Sequence, residues 1–137
     1  MVSDNNGLFD DRINSIESAY EFMLAYAAQG HEKSAGPRPA HEEEIYAYLS
    51  DLDKALTDIA EITTKQVEQV NPSQVDSYRA FIDVLANDAK TSQAAVGLLL
   101  SQSSISSQLV DNLNASIHLR ALLTDLFIVD EALDRKS

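Results

Sequence analysis

The fold class is decided by residues 41–70, which read HEEEIYAYLSDLDKALTDIAEITTKQVEQV. Apolar side chains recur along this stretch at alternating spacings of three and four, which is the period of one face of an α-helix. The positions on this face are Ile45, Leu49, Leu52, Leu56, Ile59, Thr63, Gln66 and Val70. No comparable length alternates with the period of two that a half-buried strand requires. The stretch therefore predicts one long amphipathic helix.

Three further segments carry the same spacing, and residues that interrupt or start helices mark the breaks between them. The positions on the face of the first segment are Phe9, Ile13, Ile16, Tyr20, Met23 and Ala27. The positions on the face of the third segment are Val75, Tyr78, Ile82, Leu85, Ala89, Ser92, Val96 and Leu99. Asn71 and Pro72 form the second break, because proline is favoured at the first position of a helix. Residues 101–108 form the third break, since serine favours helix caps over helix interiors. The predicted helices cover about residues 8–29, 41–70, 72–101 and 104–134. Short connections favour antiparallel neighbours, so the sequence predicts an all-α fold, an antiparallel up-down-up-down four-helix bundle.

The first break is a linker at residues 30–40, which read GHEKSAGPRPA. It holds Gly30, Gly36, Pro37 and Pro39, which are four of the seven glycine and proline residues in the chain. Such a cluster predicts a flexible connection between the first two helices.

Length and composition limit the class of protein. The 137 residues, 45% of them apolar, predict a single helical-bundle domain over residues 1–137. The 22 acidic and 10 basic side chains give a net charge of -12, which argues against nucleic acid or an anionic membrane surface as a partner. No apolar run is long enough to span a bilayer, and the acidic start is unlike a signal peptide. The expected location is therefore the cytoplasm.

No pattern of catalytic or metal-binding residues is present. The chain has no cysteine, and its three histidines occur in neither a His-Glu-x-x-His nor a Glu-x-x-His sequence. His41 is followed by Glu42, Glu43 and Glu44, but acidic residues in the first turn of a helix offset its dipole, which is the simpler interpretation. The sequence therefore predicts no catalytic residue, no metal and no cofactor, and it favours a non-enzymatic role.

Polar residues fall on the predicted apolar faces near the middle of the bundle. Counting residues back from the turns places Tyr20, Ser92 and Asn112 in one layer of the core, with Ser116 in the next layer. Buried polar groups are costly unless they bond one another, so this layer either fixes the helix register or lines a small polar pocket. Arg120 lies one turn beyond Ser116, and an arginine beside apolar surface needs a carboxylate or an anion. These five residues are the candidate ligand-binding site.

The fourth segment carries more apolar surface than one bundle requires. Leu113, Ile117, Phe127 and Ile128 lie outside its predicted core face. The polar positions that remain form a narrow strip of Asp111, Asn114, His118 and Asp125. A helix that is apolar on nearly all sides is buried. The sequence therefore predicts a homodimer interface, or a docking site for another protein, through the four apolar residues. The alternative is that this helix lies deepest in its own bundle.

Four aromatic residues are expected to gather at the end of the bundle that carries the linker. Phe22 and Tyr26 lie near the end of the first predicted helix, while Tyr46 and Tyr48 lie near the start of the second. Antiparallel pairing places them together. This group predicts either a small capping core beneath the linker or a groove that binds a peptide.

These features favour a non-enzymatic helical-bundle protein that acts through protein-protein contacts, as a regulatory, adaptor or assembly factor. We expect a homodimer through the fourth helix, so that the protein partner includes a second copy of the chain. The alternative is a sensor that binds a small molecule or an anion in a polar pocket of the bundle core.

Overall fold

The computed structural model describes residues 5–36 and 39–133, and these two ranges are all-helical with no strand. The helices are α1 (Asn5–Ala28), α2 (Ala40–Val70), α3 (Val75–Leu100), α4 (Ser107–Asn114) and α5 (Ile117–Ala132), with a 3-10 turn at Pro72–Gln74. The predicted all-α class is thus confirmed. No helix in these ranges is long and apolar enough to cross a membrane.

The fourth predicted helix is two helices, which corrects the expectation of one helix over residues 104–134. Ser106 caps α4, because its side chain accepts a hydrogen bond of 3.1 Å from the backbone N–H of Leu109. Ser116 caps α5 in the same way, accepting one of 3.2 Å from the N–H of His118. A capping serine has a non-helical backbone, so Ser116 ends the run of helix that the spacing alone predicted.

The first three helices pack on their neighbours along the chain, whereas the last two pack mainly on earlier helices. α1 packs on α2 and α2 packs on α3, while α4 lies against α1 and α5 lies against α3. Between α1 and α2, Arg12 forms an ion pair of 2.9 Å with Asp58. Between α2 and α3, the side chain of Gln93 donates to the backbone oxygen of Asp53 at 3.1 Å.

The core follows the predicted faces of the first three helices closely. All eight positions predicted on α2 are buried except Val70, which is half-buried. On α1 the predicted Tyr20 and Ala27 are only half-buried, since Ala19 and Tyr26 take the inner positions. Fully burying one large aliphatic side chain stabilises a fold by about 1.5–3 kcal/mol, so this continuous core holds the helices together.

Beyond the break the buried faces differ from the prediction. α4 buries Val110 and Leu113, whereas Asn112 is exposed. Asn114 and Asp125 were predicted to lie on the polar strip of one continuous helix, but both are buried. The two residues between α4 and α5 change the angular phase of one helix relative to the other, so a single helical wheel drawn through both cannot describe their buried faces.

Hydrogen bonds attach the linker to the segment that precedes and begins α4. The backbone N–H of His31 donates to Ser107 Oγ at 2.7 Å, and the N–H of Ser107 donates to the backbone oxygen of His31 at 2.7 Å. The N–H of Ser34 donates to Ser104 Oγ at 2.9 Å. Gly30 has φ +72°, a left-handed conformation that favours glycine and turns the chain after α1.

Candidate functional site

The structure separates the residues predicted to form the polar layer. Ser92 is buried, and its hydroxyl has no hydrogen-bond partner among the described residues. Tyr20 is half-buried. Asn112 is exposed on α4, where its side-chain oxygen accepts a hydrogen bond of 3.1 Å from Gln108. Asn112 therefore does not reach a core layer with Ser92.

The last two candidate ligand-binding residues lie at the start of α5. Ser116 is the half-buried cap of that helix, and its backbone oxygen accepts from the N–H of Arg120 at 3.1 Å. Arg120 is exposed, and its guanidinium makes no ion pair with any residue that the structure describes. The expectation that Arg120 lies beside buried surface follows from the continuous helix and fails with it.

The residues predicted to form an interface divide between the inside and the outside of the chain. Leu113 is buried in the protein's own core, which removes it from the predicted interface. Ile117, Phe127 and Ile128 are 74%, 53% and 50% exposed. All three project from α5 away from its buried side, so their solvent-facing positions agree with a role in contacts outside the chain.

We call the solvent-facing side of this helix the α5 outer face; it comprises Ile117, Arg120, Thr124, Phe127, Ile128 and Glu131. Ile128 also lines a groove of about 410 Å³ between α3 and α5, together with Tyr78 and Phe81. Thr124 adds no unpaired polar group to this surface, because its hydroxyl donates to the backbone oxygen of Arg120 at 3.0 Å. The stretch of the outer face between Arg120 and Glu131 can therefore become buried in a contact at little polar cost.

A pair of carboxyl groups lies between α3 and α5. Asp125 is only 7% exposed, and its Oδ2 has no hydrogen-bond partner among the described residues. Burial raises the pKa of Asp125 to about 7, and the hydrogen bond with Asp88 and the charge of Asp88 add to the shift. Asp125 therefore keeps its proton through most of the acidic range. Asp125 follows Leu122 by three and precedes Val129 by four, a spacing that would have placed it on the buried side.

Glu42 anchors the linker end of the molecule. Its side chain is fully buried, and it accepts hydrogen bonds from the hydroxyl of Ser104 at 3.1 Å, the N–H of Ile105 at 3.0 Å and the hydroxyl of Ser34 at 3.3 Å. Glu42 lies in the first turn of α2, as the sequence predicts, but it is buried and hydrogen-bonded rather than exposed to solvent. Its spacing of three from the buried Ile45 is the signal that could have revealed this.

Aromatic and imidazole rings cover the anchored carboxylate. The rings of His31 and His41 stack with centroids 3.9 Å apart, and the ring of Tyr26 lies 4.7 Å from that of His31. The hydroxyl of Tyr26 donates to the backbone oxygen of Ile105 at 2.5 Å. Burial, together with the charge of Glu42, raises the pKa of Tyr26 to about 12. Burial and the neighbouring His41 lower the pKa of His31.

The four predicted aromatic residues do gather at this end. Phe22 and Tyr48 stack with centroids 4.3 Å apart, and Phe22 also lies 6.4 Å from Tyr26. Tyr46 donates its hydroxyl to the backbone oxygen of Gln102. Because these hydroxyls are used to hold the loop before α4, the cluster has the contacts of a capping core.

Within residues 5–36 and 39–133, no three acidic or imidazole side chains are placed to hold a metal ion.

Comparisons with known proteins add no assignment to this geometry. No protein-family model, no curated protein and no solved structure matches the chain.

Proposed function

We propose that this protein is a non-enzymatic interaction protein that works through protein-protein contacts, and that it forms a homodimer through the α5 outer face. The observation that carries the proposal is the exposure of Ile117, Phe127 and Ile128, at 74%, 53% and 50%, on one side of one helix. Single exposed apolar residues are ordinary, whereas several on one continuous surface are typical of a contact site.

The neighbouring helix extends this surface. Val84 of α3 is 48% exposed and lies one turn beyond Phe81, which lines the groove beside Ile128. The contact surface thus spans two helices, and α5 alone is about 24 Å long. Two adjacent helices offer a larger contact area than one helix does, which brings the surface closer to the area of a standard protein interface.

We also propose that the helices form an antiparallel up-down-up-down four-helix bundle in which α4 and α5 together make the fourth segment. Two contacts support this arrangement. Arg12, near the start of α1, pairs with Asp58 in the second half of α2. Tyr78, near the start of α3, donates its hydroxyl to the backbone oxygen of Ala132 at the end of α5 at 3.0 Å.

The acidic, cysteine-free sequence supports a cytoplasmic location for this bundle.

The homodimer is tested by placing a charge on the outer face. Ile128→Glu should raise the dimer dissociation constant, measured by sedimentation velocity, at least ~10-fold, because a carboxylate cannot be buried unpaired in an apolar contact. Leu24→Glu is the matched control, since Leu24 is similarly exposed, at 47%, on a different helix, α1. Equal effects of the two substitutions, or a wild-type protein that stays monomeric, would overturn the proposal.

A second candidate function is the binding of a small polar molecule or an anion. It is favoured by a groove of about 300 Å³ that Asn112 lines together with Gln108, Gln102 and Lys33. This volume lies at the lower end of ordinary ligand pockets. Thermal-shift titration with inorganic phosphate tests it: a stabilisation that Lys33→Ala removes supports an anion site, and no shift in the wild-type protein rejects a phosphate site.

A further inference from the structure

The α5 outer face has the spacing of a coiled-coil contact. Its central positions are separated by three and four residues in turn: Ile117, Arg120, Thr124, Phe127 and Glu131. This is the spacing with which one helix meets another along a heptad repeat. All five residues are exposed, and they point away from the side of α5 that faces the core. α5 therefore carries two contact faces, and only one is used within the chain.

The charges on this face are placed symmetrically. Arg120 lies near one end of the face and Glu131 near the other, with the uncharged Thr124 and Phe127 between them. Neither charge forms an ion pair with another residue in the described part of the chain. The face is therefore basic at one end, uncharged in the middle and acidic at the other end, a pattern that complements its own reverse.

We propose that α5 packs antiparallel against α5 of a second copy of this chain, in the register that sets Arg120 opposite the partner's Glu131. The same register sets Thr124 opposite the partner's Phe127. A two-fold axis repeats both contacts, so each dimer contains two ion pairs that flank an apolar centre. This inference rests on the proposed function and specifies its partner, orientation and register.

The opposite orientation is disfavoured by the same charges. In a parallel, in-register pair Arg120 would face the partner's Arg120, and Glu131 would face the partner's Glu131. Each chain already carries a net charge of -12, so two copies repel at long range. The antiparallel register offsets part of that repulsion with close attractive contacts, whereas the parallel register adds to it.

Charge reversal tests the register. Arg120→Glu changes the net charge by -2, from -12 to -14, and Glu131→Arg changes it by +2, from -12 to -10. We expect both single variants to raise the dimer dissociation constant ~10-fold or more, because each sets like charges opposite one another. The double variant restores the pairs in reverse and should return to within ~3-fold of the wild type.

The opposite changes in net charge make this experiment specific. If long-range repulsion alone mattered, Glu131→Arg would strengthen the dimer while Arg120→Glu weakened it, and that outcome overturns the register. Lys90→Glu is the matched control, since it also gives -14 but changes an exposed residue of α3. Circular dichroism melting of each variant identifies any loss of dimer that comes from unfolding.

Cross-linking through introduced cysteines tests the orientation, and the chain has no natural cysteine that would react in their place. In the proposed register the two copies of Thr124 lie about 4.5 Å apart along the helix axis, whereas the two copies of Ile117 lie about 25 Å apart. A short bismaleimide should therefore join Thr124→Cys dimers and leave Ile117→Cys unjoined. Efficient joining at Ile117→Cys would establish the parallel orientation and overturn the inference.

The two levels of the proposal fail in different ways. If Ile128→Glu disrupts the dimer while no charge reversal changes the dimer dissociation constant, the register is wrong and the proposed function stands. A wild-type chain that is monomeric throughout the concentration range overturns both.

Discussion

At the scale of single residues, two buried carboxyl groups determine how the molecule responds to substitution and to pH. Glu42 is fully paired, with three hydrogen bonds that join the linker and the segment before α4 to the start of α2. Asp125 is the opposite case, because one of its buried oxygens lacks a hydrogen-bond partner among the described residues. The first group should therefore stabilise the fold, and the second should destabilise it when ionised.

Replacing Glu42 should be costly. Glu42→Ala leaves the N–H of Ile105 and the hydroxyl of Ser104 without their acceptor inside the protein, so we expect the free energy of unfolding to fall by about 2–4 kcal/mol. Urea denaturation measures this loss. Glu43→Ala is the control, since Glu43 is the exposed neighbour in the same helical turn and should cost less than about 0.5 kcal/mol. Similar losses for both variants would contradict the anchoring role.

Asp125 should make stability depend on pH. Its pKa is raised from 3.8 to about 7 on folding, so the folded state binds the proton more tightly than the unfolded state does. The contribution of this group is therefore fully present below about pH 4 and is lost as the pH rises through about 7.

Asp125→Asn removes that dependence. The variant should be more stable than the wild type by about 1–3 kcal/mol at pH 8, and this advantage should shrink toward pH 4. Chemical denaturation at a series of pH values gives the difference, with the exposed Asp83→Asn as the control. A difference between wild type and Asp125→Asn that is constant with pH would show that the carboxyl is not titrating in this range.

At the scale of elements, the break between α4 and α5 determines which side chains face outward. Ser116 accepts the N–H of His118 and so begins α5 at a new angle. We expect Ser116→Ala to lower the free energy of unfolding by about 1 kcal/mol, the usual effect of losing a capping side chain. Denaturation of this variant beside Ser103→Ala, an exposed loop position, measures it. An effect no larger than that of the loop control would mean that Ser116 does not define the start of α5.

The same break separates what the sequence could predict from what it could not. The faces of α2 and α3 were predictable because one uninterrupted period fixes every position, and Ile82, Leu85 and Ala89 are buried as expected. In α4, Asn112 was misplaced because a single face was drawn through both α4 and α5, and nothing in the spacing reveals the two-residue interruption between them. The serine-rich composition indicated a cap near residues 101–108, but Ser116 stands alone among helix-forming neighbours.

Within the candidate site, the sequence could predict only those residues whose exposure follows from their position on a helix. Ile117, Phe127 and Ile128 were singled out by their excess over one core face, and all three are exposed. Glu42 and Asp125 were missed because charged residues are usually solvated, and the sequence does not show which segment will supply their hydrogen-bond partners. Their spacing from buried neighbours indicates the buried side, but the hydrogen-bond partners that make this burial possible come from tertiary contacts.

At the scale of the whole molecule, the proposed dimer pairs two strongly acidic chains through the α5 outer face, which carries one charge of each sign. Two chains of charge -12 repel each other over distances that salt screens efficiently, while the close pairs of Arg120 with the partner's Glu131 are screened less. We therefore expect the dimer dissociation constant to fall when sodium chloride is raised from about 0.05 M to about 0.5 M. Sedimentation velocity at the two salt concentrations measures this, and weaker dimerisation in high salt would show that long-range repulsion is not the dominant charge effect.

The central claim is that the α5 outer face holds a second copy of the chain. The molar mass of the wild-type protein, measured by light scattering across a dilution series, tests it most directly. We predict a mass of about twice the 15.0 kDa of one chain at high concentration, falling toward 15.0 kDa on dilution. A mass of 15.0 kDa at every concentration would contradict the claim.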